Sequence, residues 1–165
     1  MAGNKKKPRK KYDPNKSARR IVAWAERKVG ERPINADAQR DIGIAAHIAF
    51  ERLRNGGDKE SLFILATTFD VAHELAVKGC GADYLAEIKS GMSALVRAKK
   101  AANLTGKWIV TGDDAEAVRL ALETHDAQLE VAARAVVVKA LKDVVDRVAT
   151  GANETEFETL LLEAA

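Results

Sequence analysis

From Asp113 to Ala149 the apolar residues recur at intervals of three and four, a spacing that lines one face of a helix and mixes the two faces of a strand. Ala115, Val118, Leu122, His125 and Leu129 form a first stripe, and Val137, Leu141, Val144 and Val148 a second. Thr111 or Asp113 is placed to cap the start, where Asp113, Asp114 and Glu116 bring negative charge to the positive end of the helix dipole. Gly151 supplies a stop. A single helix over this run would be roughly 55 Å long, too long for a compact domain of this size. A break is therefore expected near Ala133-Arg134, because Val136-Val137-Val138 begins a β-branched segment, apolar all round, that suits a separate and more buried helix.

The rest of the chain shares this helical character. Of 165 residues 47% are hydrophobic but only 5% aromatic, so the core must be built from Ala, Leu, Val and Ile. The predicted fold is all-α: a single-domain helical bundle of five to seven helices, long enough to bury a core without disulfide or metal. Cys80 is the one cysteine, so no intramolecular disulfide can form. No signal peptide is recognisable and no apolar run approaches the roughly 18 residues a membrane span needs, which points to the cytoplasm and away from a membrane.

Charge is divided unevenly. Residues 1–20 carry Lys5, Lys6, Lys7, Arg9, Lys10, Lys11, Lys16, Arg19 and Arg20 against Asp13 alone, a balance of +8 that leaves the remainder at −5 of a net +3. Residues 1–16, with Pro8 and Pro14 and no apolar periodicity, read as a disordered basic arm. Residues 17–151 read as the bundle, and 152–165 as a short acidic amphipathic helix with Phe157, Leu160 and Leu161 on one side. Within the bundle a first helix is expected over about 17–29, anchored to the core by Trp24. A second, capped by Asn35 or Asp37, turns Ala38, Ile42, Ala45, Ala49 and Leu53 inward until Asn55-Gly56-Gly57 ends it. A third, capped by Asp58, buries Leu62, Leu65, Ala66, Phe69, Ala72 and Ala76. After the Gly79-Cys80-Gly81 loop a fourth runs over about 83–103 with Tyr84, Leu85, Ile88, Met92, Leu95 and Ala102 inward, and Gly91 admits a close neighbour. The segment around Trp108 is an extended crossover, since a lone strand has no partner.

Chemistry-bearing constellations are sparse. His73 follows Asp70 by three residues, as in bundle metal sites, but the predicted inner faces lack the further carboxylates such a site needs. His125 sits on an apolar stripe beside Asp126, the pattern of a partly buried, satisfied histidine, and His47 with Glu51 reads as a surface pair. Cys80 between two glycines suggests an exposed thiol without an activating histidine. Gly106-Lys107 and Gly112-Asp113 lack the rest of a phosphate loop, and Asp113 and Asp114 would repel a phosphate there. No cofactor, metal or catalytic residue is therefore predicted.

Lys10-Lys11-Tyr12 in a basic start, Thr105-Gly106-Lys107-Trp108, a helix opening at Asp113, then His125-Asp126 and Gln128-Leu129, together resemble small uncharacterised proteins encoded by bacterial phages and prophages. The resemblance covers mainly residues 84–148 and the arm, and the Ala-rich first half departs from it. It implies a phage-related protein in the bacterial cytoplasm and implies no activity. The charge pattern leads to an expected function: a non-enzymatic accessory protein that binds nucleic acid without sequence preference, with Lys5, Lys6, Lys7, Arg9, Lys10, Lys11, Arg19 and Arg20 on the phosphates. The alternative is a protein-binding module that inhibits or modulates a host or defence complex. A homodimer fits an Ala- and Val-rich bundle with an amphipathic tail.

Overall fold

The computed structural model describes residues 16–149, with side chains from residue 19 onward. Among these residues the fold is an all-α bundle of six helices: α1 Lys16–Gly30, α2 Ala36–Arg54, α3 Lys59–Val77, α4 Leu85–Thr105, α5 Gly112–Val131 and α6 Arg134–Ala149, with a 3-10 turn at Ala82–Tyr84. Local chemistry sets the boundaries. Asn35 accepts from the amide of Ala38 at 2.9 Å and Asp58 from the amide of Ser61 at 2.7 Å, so each satisfies an otherwise orphaned donor at a helix start. Gly106 ends α4 in the left-handed region, at φ 73°. The break in the long run falls between Val131 and Arg134, as the change of sequence character there predicts.

Two apolar clusters hold the bundle together. The larger joins α2 through α5 around Leu53, Leu65, Phe69, Ile88, Met92, Leu95 and Leu122. It rests on the α4–α5 pair, whose backbones approach because position 91 has no side chain: a Cβ there would lie 2.5 Å from that of Ala121. The smaller cluster, Val71, Leu75, Leu129, Ala132, Val137, Ala140 and Val144, seats α6 on α3 and on the end of α5. The crossover after α4 lies over the α2–α3 turn: Gly57 pairs with Trp108, and the Val110 amide donates to Leu53 O at 3.1 Å.

Several expected faces are corrected. Trp24 does not anchor α1: it is 55% exposed, Ile21, Val22 and Val29 are exposed with it, and the C-terminal end of α1 meets α6, where Gly30 approaches Ala135. In α2 the buried face is Gly43, Ala46, Ala49, Phe50 and Leu53, so Ala38 and Ile42 are only half-buried and Ala45 is exposed. Helix α6 is not the more buried half. Val137, Ala140 and Val144 are buried, while Val138, Leu141, Val145 and Val148 stay exposed, because α3 covers one side of a helix that is apolar on two. Tyr84 is exposed in the 3-10 turn. The stop expected at Gly151 and the segments 1–15 and 150–165 lie outside the described residues.

Candidate functional site

A groove of about 410 Å³ opens between α2 and α6 over the outer face of α3. Its walls are Ile42 and Ala45 on one side and Val137 and Leu141 on the other; Phe63, Thr67 and Val71 run along its floor. The sequence makes it apolar by a simple register effect. The residues of α2 expected to face inward lie one step round the helix from its buried face, and α6 presents more apolar surface than α3 can cover. The hydroxyls of Thr67 and Thr68 donate to the carbonyls of Phe63 and Ile64 at 3.0 and 2.9 Å, so the floor offers little hydrogen-bonding capacity. Phe63 is 59% exposed and Leu141 40%, which leaves an apolar rim in contact with water.

One polar side chain reaches this groove from below. His125 lines it although the residue is only 2% exposed, and its Nδ1 has no hydrogen-bond partner. The satisfied, partly buried histidine expected from the sequence is thus fully buried with one nitrogen unmatched. Burial pushes its imidazole down to about 4, while the negative charge of Asp126 pulls the other way. Gln128, one turn on, carries a structural role its sequence position hardly announces. Its Nε2 donates to Ala72 O at 3.0 Å and to Cys80 O at 2.8 Å, tying α5 to α3 and to the loop after it, and its Oε1 is buried without a partner. A glutamine at the edge of the apolar stripe of α5, beside Leu129, was the available signal.

The other candidates are dispersed. His47 pairs across helices with Asp126, Nε2 to Oδ2 at 2.8 Å, while Glu51 binds Arg54, so the expected His47–Glu51 pair does not form. Cys80 is half-buried with Sγ 3.7 Å from Gln128 O, and burial pushes its thiol up, opposite to an activated cysteine. At the start of α5, Asp114 is held by Arg97 at 2.6 Å. No group of three or more His, Cys, Asp or Glu is arranged to hold a metal among the described residues, and none of their helices is long and apolar enough to cross a membrane. Of the predicted phosphate contacts, Arg19 and Arg20 stand exposed on α1; Lys5, Lys6, Lys7, Arg9, Lys10 and Lys11 lie outside the described residues. No family model, curated protein or solved structure matches the chain.

Proposed function

We propose that the protein is a non-enzymatic, phage-related accessory factor of the bacterial cytoplasm that binds nucleic acid through the phosphates. The observation that carries this reading is the placement of charge. Nine basic residues against one acid stand in positions 1–20, and the last of them, Arg19 and Arg20, lie on a helix exposed from Arg19 to Val29. The bundle from residue 21 to 149 is close to neutral at −1, and Glu154, Glu156, Glu158 and Glu163 supply the remaining −4, so the first twenty residues hold the chain's concentrated positive charge. Contacts of this kind position without reading sequence, and each neutralised phosphate releases counterions, so affinity falls steeply with salt. The test is binding of the purified chain to labelled DNA and RNA over a salt series, beside a chain lacking residues 1–16. Steep salt dependence and loss of binding with the arm are expected. No binding at low salt overturns the reading.

The apolar groove favours a second reading, a module that engages a host or defence protein with the arm only guiding the encounter. Arm deletion separates the two, since partner binding in the groove survives it.

A further inference from the structure

Two surfaces of this molecule lack a cover among the described residues, and they match. The first is α1, whose residues from Arg19 to Val29 are all exposed. Ile21, Val22, Ala25 and Val29 share one side, Trp24 lies at its edge beyond Lys28, and Arg20 and Arg27 lie opposite. A 15-residue helix is marginal alone in water and draws its stability from burying its apolar side. The second is the groove between α2 and α6, apolar and bounded by helices on three sides, as the sites that take an amphipathic helix are.

We propose that the groove receives α1 of a second copy of the chain, in a reciprocal exchange that builds a two-fold symmetric dimer. Docking in the same molecule is opposed by the way α1 is tied down. The Arg134 amide donates to Arg32 O at 2.7 Å, Pro33 bridges to Ala133, and a Cβ on Gly30 would lie 3.1 Å from that of Ala135, so the base of α1 is clamped to the start of α6 with its apolar side uncovered. Exchange between copies needs no release of that clamp. It covers both surfaces at once and turns Arg20 and Arg27 outward. The side chains such an interface would take out of water are Ile21, Val22 and Val29 of α1 and Phe63 and Leu141 at the groove's rim, all exposed among the described residues. Residues 152–165, with Phe157, Leu160 and Leu161, are the other apolar candidate, but they would fill the groove and leave α1 bare. A two-fold arrangement closes on itself and stops at two copies.

The test is the mass of the full chain in solution, by light scattering after gel filtration at tens of micromolar, for the parent, Trp24→Glu and Leu141→Glu. The parent is expected to be a dimer and each variant a monomer. An equimolar mixture of the two variants should regain a dimer, because the groove of the Trp24→Glu chain accepts α1 of the Leu141→Glu chain. With Trp108→Phe in the background, Trp24 emission should shift to the blue on association. Both substituted residues are exposed, and helicity by circular dichroism checks that each chain folds; Thr67→Arg on the groove floor replaces Leu141→Glu if it does not. A monomeric parent, single variants that still dimerise, or a mixture that stays monomeric each overturns the exchange. A monomer that dimerises only after residues 152–165 are removed overturns it too, in favour of the tail as occupant of the groove.

Discussion

His125 is held where a charge is expensive. Its imidazole is pushed down to about 4 in the fold by burial, against the ordinary 6.5 it has in an unfolded chain. Between these two values the unfolded chain takes up a proton that the folded one refuses, so stability rises with pH across the window, is complete above 6.5 and is reduced by about 3 kcal/mol below 4. Glu74 and Asp143 add a separate loss at lower pH. Burial raises the Glu74 carboxyl, but hydrogen bonds from Lys78 and Arg147 outweigh it and hold it below the usual range; a hydrogen bond from Lys78 lowers Asp143. His125→Leu should therefore cost little at pH 7, since it removes an unpartnered Nδ1, and should flatten most of the fall between pH 6.5 and 4.5. Urea midpoints for both proteins at the two pH values measure it. An equal fall in both would mean that the imidazole titrates normally in the fold. The apolar stripe of α5 announces where this histidine sits. It cannot announce that one nitrogen is left unmatched, because that depends on how α5 packs against the other helices around the groove.

Helix pairing turns on glycine in the same way, and two glycines should respond to one substitution with opposite sign. An added Cβ at Gly91 would meet Ala121 Cβ at 2.5 Å, Phe69 Cε2 at 3.1 Å and Ala117 O at 3.2 Å, so α4 and α5 must part. Overpacking of this kind costs roughly 1–3 kcal/mol and exceeds the roughly 1 kcal/mol of helix propensity that alanine adds. Gly43, also helical, would meet only Asp126 Oδ1, at 3.6 Å, an ordinary contact. Gly91→Ala is expected to lower stability by about 2 kcal/mol and Gly43→Ala to raise it by up to about 1 kcal/mol, read from urea denaturation. Equal effects would locate the close approach elsewhere. Elements of this kind are what the sequence displays best: Asn35 and Asp58 cap, Asn55-Gly56-Gly57 ends α2, and the break after Val131 follows a change in side-chain type. Which side of a helix faces the core is legible only where one side is apolar. Helix α6 is apolar on two, and it is oriented on α3 by interactions with no sequence signature: Arg147 to Glu74 at 2.6 Å, Lys78 to Asp143 at 3.0 Å, and the burial of Val137, Ala140 and Val144. The groove was hidden for that reason, since it is made of the apolar residues the core does not use.

At the scale of the whole molecule, charge and shape divide the work. The body is nearly neutral between a basic end and an acidic one, so a polyanion is drawn to the basic end, and a dimer built by exchange of α1 would present two such ends on one particle, each raising the effective concentration of the other on a long nucleic acid. For the chain itself, each phosphate neutralised on duplex DNA contributes about −0.9 to the slope of log affinity against log salt. The double change Arg19→Ala/Arg20→Ala should then make that slope shallower by about 2 and weaken binding at every sequence alike, while stability stays within about 0.5 kcal/mol because both residues are exposed. Fluorescence titration of labelled duplex at several salt concentrations gives the slope directly. A slope left unchanged places the phosphate contacts wholly within residues 1–16, with α1 acting only in association between copies. A change confined to one DNA sequence instead requires that α1 read bases.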